Sequence, residues 1–360
     1  MFYLITGIIA FLVIITSIIS IHEFGHLLVA KRCGVYCYEY SIGLGKLIWQ
    51  RRGKPEAEQK SKADQFWGET DFSIRLLPFG GYVRMAGDDE DEDSIKVGED
   101  KKLTAKGIWA QTAIMIAGVV MNFILAFVML ISYSLITPKI IVEDARPVVE
   151  EVILKESPFK AGDEIVKITT EGKTIEPKTQ TEITEFIQYY NKDLSVQIKR
   201  DGEEMTVKTK PIKTKQGYTL GYRSEAPKTE DANITDRVAS GVGEFKNSMT
   251  SMTKSFGMLA KGRGYDTLSG PVAIGNLVIT ITKEQPALLV YLTGILSLNI
   301  GFFNLLPIPA LDGGRIFLLW LDRWTKGRIK KELIANVIGI SFVLLMILTV
   351  VILGKDIINL

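Results

Sequence analysis

Three ionisable side chains lie close together near the start of the chain, in the stretch SIISIHEFGHLLVAKRC at residues 17–33. His22 and His26 are four residues apart, and they are the only two histidines in the sequence. On a helix, residues at this spacing share one face about 6 Å apart along the axis, so both imidazole rings can bind one metal ion. Glu23 borders that face and can reach a metal-bound water without binding the ion. H-E-x-x-H is the metalloprotease arrangement, in which the carboxylate accepts a proton from the attacking water.

A third ligand has to come from elsewhere, because a catalytic zinc site usually has three protein ligands and the chain has no third histidine. Asp312, in NLLPIPALDGGR, is the only acidic residue within the apolar stretch 286–321. Pro307 and Pro309 break the helix just before it. Irregular backbone at membrane depth is tolerated only where it is buried in protein or lines a water-filled cavity. Asp312 is therefore the leading candidate.

Two alternatives for the third ligand remain open at this point. Asp312 could merely cap a helix that begins at Arg315. A thiolate of Cys33 or Cys37 could complete the site instead, although both lie two or three helical turns beyond His26. Burial as small residues is the simpler interpretation of the two cysteines.

The elements that must position these residues are long and apolar. The chain has 360 residues, 47% of them hydrophobic, and its mean hydropathy is +0.18. Four runs reach the length of about 20 residues that crosses a hydrocarbon core about 30 Å thick. A cleaved signal peptide is a poor interpretation of the first run, which lacks a basic start and a small-residue cleavage site. The sequence predicts a polytopic α-helical membrane protein whose transmembrane helices occupy residues 1–36, 106–137, 287–321 and 332–354.

Basic residues indicate how these helices are oriented. Lys and Arg cluster after the first run, before the second, and between the third and fourth, where five of them occur in residues 323–331. By the positive-inside rule these ends are cytoplasmic. Both termini and residues 138–286 are then expected outside the cytoplasm, with the active site towards the cytoplasmic side. Cytoplasmic placement also suits two cysteines that have no need to pair.

The long polar segment between the second and third runs has the pattern of a small α/β domain. A short apolar strand at 165–168 and a hairpin around Asp201-Gly202 flank a helical stretch at 180–191, within a domain predicted over residues 138–233. Residues 234–286 follow as an amphipathic helix and linker. The apolar stripe of that helix either packs against protein or lies on the membrane surface. Its members are Val238, Val242, Phe245, Met249, Met252, Phe256 and Leu259.

The cytoplasmic connection, residues 37–105, contains two distinct pieces. Residues 71–87 alternate apolar and polar side chains around a turn at 78–81, which predicts an unusually apolar β-hairpin. Residues 87–93 are acidic and are predicted to form a solvated linker. The hairpin edge could pair with an unwound substrate strand and so satisfy its backbone groups. Residues proposed to contact substrate in this way are Phe72, Ile74, Gly80 and Gly81.

These motifs together resemble the site-2 protease family of intramembrane zinc metalloproteases, and in particular its bacterial members that combine four transmembrane helices with a PDZ-like domain. The resemblance rests on HEFGH, FSIRLLPFGGYVRM, GVVMN at 118–122, LSGPVAIG at 268–275 and LNIGFFNLLPIPALDGG at 298–314. It implies one zinc ion per chain, with His22, His26 and Asp312 as ligands and Glu23 as the acid/base. Three further residues would then lie beside the substrate: Asn299, Asn304 and Pro307.

The resemblance also implies a cellular role. The protein would lie in the bacterial cytoplasmic membrane and cut single-pass membrane proteins, such as anti-sigma factors or signal-peptide remnants, after a site-1 type protease has trimmed them outside. The outer domain and amphipathic helix would exclude untrimmed substrates. One departure is that SPFKAGDEI is shorter than the usual bacterial PDZ pattern. Lipid and substrate are the expected partners, and a net charge of +2 gives no indication of nucleic acid.

Two other classes of function fit the sequence less well. A membrane-embedded adaptor would have no need for Glu23 beside a set of metal ligands. A zinc transporter should carry more ligands in its other membrane helices, yet residues 108–136 and 333–353 contain no Asp, Glu or His. The protease interpretation is therefore favoured.

Overall fold

A computed structural model of the chain describes residues 2–54, 66–88, 97–214, 217–265 and 270–358. The chain divides into two compact units, Met1–Tyr133 with Gly270–Ile357 and Ser134–Ser269 with Ile358–Leu360. Beyond Asp88, the predicted acidic linker at 87–93 lies outside the described residues.

The helices and strands follow in chain order. The described helices are α1 Phe2–Arg32, α2 Ile108–Ile136, α3 Gln180–Tyr189, α4 Ile234–Ala260, α5 Pro271–Glu284, α6 Leu288–Asn304, α7 Asp312–Trp324 and α8 Lys331–Ile358. The described strands are β1 Cys37–Arg51, β2 Asp71–Met85, β3 Lys139–Glu143, β4 Val149–Val152, β5 Glu164–Thr170, β6 Lys173–Ile175, β7 Leu194–Arg200, β8 Glu203–Thr209, β9 Ile212–Thr214, β10 Gly217–Thr219, β11 Tyr222–Ser224 and β12 Lys228–Asp231.

Three of the described helices are long and apolar enough to cross a membrane: Phe2–Arg32, Ile108–Ile136 and Glu332–Ile358. The apolar run predicted over residues 287–321 is divided into two helices, in agreement with the break expected at Pro307 and Pro309. α6 ends at Asn304 after 17 residues, which is about 26 Å of helix, and α7 begins only at Asp312. Pro307 cannot donate a backbone hydrogen bond and its ring clashes with the preceding turn, so the helix stops there.

Small residues bring the helices of the first unit into close contact. A Cβ atom added at Gly7 of α1 would lie 2.7 Å from Ile279 of α5, and one added at Gly25 would lie 2.4 Å from the Ala117 carbonyl oxygen of α2. Glycine at these positions lets the backbones approach as they do in membrane helix pairs. The apolar cluster formed there consists of Ile14, Ile18, Leu125, Val278, Leu292 and Leu296.

β1 and β2 form the sheet of the first unit, and its pairing differs from the predicted hairpin. Residues 37–42 of β1 pair on one side with 81–85 of β2, and residues 39–42 also pair on the other side with 71–74. Residues 44–51 of β1 pair with 72–77. Both strands therefore bend, and the first half of β1 lies between the two halves of β2. The prediction of a self-contained hairpin at 71–87 missed β1, whose side chains also alternate.

This sheet packs against the second half of α1. The Tyr40 hydroxyl donates to the Ser20 carbonyl at 2.8 Å, and the Thr16 hydroxyl donates to the Pro78 carbonyl at 2.5 Å. A buried cluster joins the two elements with α2, and it comprises Leu27, Ala30, Val35, Cys37, Tyr40, Met85, Leu103 and Ile114. The sheet is therefore fixed beside the part of α1 that carries the histidines.

The second unit contains an antiparallel sheet in the order β6-β5-β7-β8. The turn between β7 and β8 has Asp201 at φ 51° and Gly202 at φ 88°, which is the positive-φ pair that a tight hairpin needs. Helix α3, predicted from its apolar spacing, contributes Ile183, Phe186 and Ile187 to the core of this unit. The strand and helix pattern read from the sequence is confirmed here.

The two halves of the amphipathic helix α4 differ in whether the apolar stripe packs against protein or is exposed. In its second half, the Ser251 hydroxyl donates to Glu185 of α3 at 2.8 Å and Ser255 shares a 2.6 Å hydrogen bond with Tyr189. In its first half, Val238 and Val242 of the stripe are 37% and 42% exposed. The second half therefore packs on protein, and the first half presents apolar side chains outward.

The second unit contains an ion pair with a buried carboxylate. The side chain of Asp163 is fully buried and accepts hydrogen bonds from the Arg200 guanidinium at 2.7 Å through both of its oxygens. Its Oδ2 also accepts from the Lys160 backbone N–H at 2.8 Å. Burial raises the pKa of Asp163, but the bonds from Arg200 and Lys160 outweigh it and hold the pKa below its usual value.

The lowered pKa of Asp163 predicts a pH-dependent stability. Because the pKa is lower in the folded state, the stabilisation is complete above the unfolded value of about 3.9 and is lost as pH falls through the folded value. We expect Asp163→Asn to raise amide exchange in β5 and β7 on the order of tenfold at pH 7, the scale of one hydrogen bond to a charged group. Hydrogen–deuterium exchange of the full chain in detergent measures this.

The matched control is Glu151→Gln, which removes an exposed ion pair with Arg223. It should change exchange little, because exposed pairs contribute little stability. The difference between wild type and Asp163→Asn should shrink below about pH 4. An unchanged difference at pH 3 would contradict the role given to the charge.

Candidate metal centre

Three side-chain atoms converge between α1 and the start of α7. His22 Nε2 lies 3.1 Å from Asp312 Oδ2, His26 Nε2 lies 3.4 Å from the same oxygen, and the two Nε2 atoms are 3.2 Å apart. Among the described residues, this is the group of His, Cys, Asp and Glu side chains that could hold a metal ion. The sequence-predicted trio is thus brought together across about 290 residues of chain.

The surroundings of these atoms fit a metal ion. Asp312 Oδ2 is buried and accepts no hydrogen bond within the described residues, although two imidazole nitrogens face it. The space beside the rings is kept open by Gly118 of α2, where an added Cβ would lie 2.4 Å from His26 Nε2 and 2.8 Å from His22 Nε2. Two imidazoles and a carboxylate converging on one point are the donor set of a catalytic zinc site.

The imidazole rings are also held from their other nitrogens by α2. His26 Nδ1 lies 2.8 Å from the Ile114 carbonyl oxygen, and His22 Nδ1 lies 3.3 Å from Asn122 Nδ2. In the sequence, Gly118 and Asn122 stand out only as the two ends of GVVMN, and Ile114 does not stand out. Their spacing of four is the one signal that could have placed them on a common helix face.

Asp312 is presented by a tight turn that only glycine permits. The Leu311 N–H donates to the Ile308 carbonyl at 2.8 Å, which folds the chain back over the start of α7. A Cβ at Gly313 would lie 2.3 Å from the Leu305 carbonyl oxygen, and one at Gly314 would lie 2.0 Å from that of Ile308. The two glycines after Asp312 therefore let the turn pack on the helix.

The alternatives for the third ligand are not favoured by this geometry. The N-cap of α7 is Leu311, and no side chain caps the helix, so the Asp312 carboxylate is not its cap. Neither Cys33 nor Cys37 is part of the metal-ligand group. Burial raises the pKa of the Cys37 thiol to about 12, which disfavours a thiolate there.

Glu23 lies where the sheet meets the histidine helix. A Cβ at Gly81 of β2 would lie 3.6 Å from Glu23 Cγ and 3.9 Å from Ile19. Farther along, the turn after β2 is tied to α7, because Arg315 is 3.1 Å from Asp88. The second half of β2 is thus fixed between the Glu23 side of α1 and the helix that carries Asp312.

The other residues predicted from the sequence to contact substrate lie in α6, in the turn before Asp312 and in β2. Asn299 lies in α6 with its side-chain oxygen buried and without a hydrogen bond within the described residues. Asn304 is the last residue of α6, and Pro307 follows in the turn before Asp312. Gly80 and Gly81 lie in the bend and second half of β2, and Gly81 borders Glu23.

Phe72 and Ile74 are placed differently. Phe72 pairs with Tyr40 on one side and Arg51 on the other, and Ile74 pairs with Ile42 and Trp49. Both strand neighbours of this segment are therefore supplied by β1. The expectation that an added strand pairs along 72–76 conflicts with this arrangement. Within the described part of the chain, residues 81–83 pair with β1 on one side only, and Gly81 lies beside Glu23.

Comparisons with known proteins agree with this centre. The model of the family described as Peptidase family M50 matches residues 10–348. The chain is 27% identical to zinc metalloprotease RasP of Bacillus licheniformis and 27% identical to the regulator of sigma-W protease RasP of Bacillus subtilis, each over 97% of this chain and 98% of the relative. It is 28% identical to putative zinc metalloprotease CPE1693 of Clostridium perfringens, over 99% of this chain and 98% of the relative.

Because the family match covers most of the chain and includes all three converging side chains, the resemblance to the site-2 proteases and the prediction of a metalloprotease are confirmed: the chain belongs to peptidase family M50.

Proposed function

We propose that the chain is an intramembrane zinc metalloendopeptidase that hydrolyses peptide bonds within or beside the transmembrane segment of single-pass membrane proteins. The observation that carries this proposal is the convergence of His22 Nε2, His26 Nε2 and Asp312 Oδ2. Glu23 lies next to His22 in the apolar helix α1. Ionisable groups at membrane depth are costly and seldom occur without a task.

Zinc is the metal that suits this donor set. Borderline imidazole ligands with one carboxylate, in a site that keeps a further position open, are typical of zinc hydrolases. The Bacillus licheniformis and Clostridium perfringens relatives carry zinc metalloprotease in their names. We assign His22, His26 and Asp312 as the ligands of one zinc ion per chain.

Each side chain then has a distinct part in the hydrolysis. A zinc ion held by these three ligands would supply Lewis acidity to the peptide carbonyl and to the attacking water near neutral pH. Glu23 would accept a proton from that water and return it to the leaving nitrogen. Asn299 and Asn304 offer amide groups to the backbone of the substrate or to the developing oxyanion, and Pro307 shapes the adjoining turn.

A helical substrate hides its scissile amides in its own hydrogen bonds, so it must be unwound and held extended. We assign that task to residues 81–83 of β2, which pair with β1 on one side among the described residues and begin beside Glu23. Strand addition there would supply hydrogen bonds that lipid cannot. Gly80 and Gly81 allow the substrate backbone to approach closely. Phe72 and Ile74 support this edge from inside the sheet.

The membrane arrangement proposed from the sequence accommodates this chemistry. α1, α2, α6 and α8 would cross the bacterial cytoplasmic membrane, with α6 shorter because it ends at the turn before Asp312. Basic residues after α1, before α2 and between α7 and α8 favour an orientation in which the metal centre would lie towards the cytoplasm. Both termini and residues 138–286 would lie outside.

The second unit, as a PDZ-like domain, would act as a size filter together with α4. Substrates would have to be shortened by a site-1 type protease before entry. The Bacillus subtilis relative is named a regulator of sigma-W protease. We therefore propose anti-sigma factors, along with signal-peptide remnants, as the substrate class of this chain.

Glu23→Gln tests the proposed chemistry. Loss of the carboxylate removes the general base, so cleavage of a model single-pass substrate should fall about 10²–10⁴-fold or more, while bound zinc stays the same. Zinc analysis of the purified protein and gel-based cleavage in detergent measure both. The control is Glu99→Gln, which alters a carboxylate that is 85% exposed and should change neither quantity. Unchanged cleavage with zinc bound would exclude Glu23 from the chemistry.

Gly118→Ala tests the space around the ligands. The added methyl group would lie 2.4 Å from His26 Nε2, so it must displace an imidazole, and zinc content should fall sharply. Gly339→Ala in α8 is the matched control, because an added Cβ there contacts nothing within 4 Å. Titration with a chromophoric chelator compares the two affinities. Equal zinc affinities would contradict the proposed ligand geometry.

Disulfide trapping tests the strand-pairing edge. In full-length protein lacking Cys33 and Cys37, Tyr82→Cys on the proposed edge should cross-link to a cysteine near the scissile bond of the substrate. Ile48→Cys, which is on the opposite edge of the sheet and replaces a side chain that is 62% exposed, should not. Cross-linking that is stronger at position 48 than at position 82 would contradict the proposed edge, because the substrate would then pair with the opposite edge of the sheet.

A further inference from the structure

We propose that Asn122 is a positioning residue for the metal centre: its side-chain oxygen accepts a hydrogen bond from His22 Nδ1 and thereby keeps His22 Nε2 free to bind the metal. The proposal rests on the proposed function, because it concerns the ligand that zinc would use. It assigns a task to a fully buried polar side chain that the reaction does not otherwise employ.

A neutral imidazole carries one proton, and the nitrogen that binds a metal cannot be the one that holds it. If Nε2 binds the metal, the proton must be on Nδ1, and a buried Nδ1–H needs an acceptor. Partners of this kind commonly fix the tautomer and ring orientation of metal-binding histidines. Each of the two histidines here therefore requires an acceptor on its Nδ1 side.

His26 has such an acceptor in the protein backbone. Its Nδ1 lies 2.8 Å from the Ile114 carbonyl oxygen, and a carbonyl oxygen can only accept. The proton of His26 is therefore on Nδ1. Its Nε2 presents a lone pair towards Asp312 and His22.

His22 faces an amide that can offer either a donor or an acceptor. In the structure, Asn122 Nδ2 is 3.3 Å from His22 Nδ1, and Asn122 Oδ1 is buried with no hydrogen-bond partner among the described residues. With Nδ2 as donor, the proton of His22 would be on Nε2, directed at the ligand cluster, and the metal would be excluded. A half-turn of the amide exchanges Oδ1 and Nδ2 and gives Nδ1–H an acceptor.

The backbone at Asn122 is held in place independently of its amide. The Ser297 hydroxyl of α6 donates to the Asn122 carbonyl oxygen at 2.8 Å, and Ser297 is itself fully buried. The amide can therefore turn while α2 stays fixed. Ile114, Gly118 and Asn122 recur every four residues, so one face of α2 supplies an acceptor for His26, room for both rings, and an acceptor for His22.

The variants Asn122→Asp and Asn122→Leu separate an acceptor from a polar residue that only fills space. Asp keeps an oxygen where the proposal needs one, whereas Leu has a similar size and no acceptor. In full-length protein in detergent, we expect Asn122→Leu to weaken zinc binding about 10–100-fold, the usual effect of losing such a partner. Asn122→Asp should stay within a few-fold of wild type, as should the control Ser134→Ala in the same helix.

Zinc affinity is measured by competition with a chromophoric chelator, and thermal unfolding shows that each variant is folded. Wild-type affinity in folded Asn122→Leu would overturn the proposal. Affinity in folded Asn122→Asp as weak as in Asn122→Leu would also overturn it. If wild type itself bound no zinc, the proposed function would fail first, so the two failures can be told apart.

A second measurement needs no variant. Because the chain contains only two histidines, ¹⁵N-histidine labelling reports on the two ligands alone. In zinc-loaded wild type, both Nδ1 atoms should carry a proton and both Nε2 atoms should show metal coordination. Coordination of either residue through Nδ1, with the proton on Nε2, would overturn the assignment even if Asn122→Asp does not fold.

Discussion

The structure depends on one constraint: three polar side chains from two helices must meet in a largely buried site. His22, His26 and Asp312 answer it by facing one another within 3.4 Å. A buried charge is costly unless it is paired or binds a metal, so the elements around the trio have to hold it closed. α2, the sheet of β1 and β2, and the turn before α7 are arranged around that requirement.

Glycine is the residue that makes the enclosure possible. At Gly25 it allows α1 to approach the backbone of α2, and at Gly118 it leaves room for two imidazole rings. At Gly313 and Gly314 it lets the chain turn back over the helix that begins with Asp312. In each case the space that a methyl group would occupy is filled by a backbone carbonyl or by a ligand nitrogen. The apolar helices provide burial, and the glycines decide how close the functional groups come.

The sequence was informative where a residue type is scarce. Two histidines in 360 residues, and one acidic residue in an apolar stretch, suffice to nominate the trio without any structure. The sequence did not predict features that depend on how distant segments pair or pack. Nothing in β2 reveals that the first half of β1 pairs between its two halves, since strand order depends on long-range contacts. α2 is apolar on every side, so its hydrophobic periodicity does not distinguish the face that carries Gly118 and Asn122.

The contact at Gly25 limits how the molecule can move. There the backbone of α1 meets the Ala117 carbonyl of α2 at a distance that leaves no space for a side chain, at a residue that lies between His22 and His26. Sliding or parting these two helices would carry both imidazoles away from Ile114 and Asn122 at once. Any opening of the first unit that admits a polypeptide must therefore leave the contact between α1 and α2 intact. The part that moves has to be on another side of the metal centre.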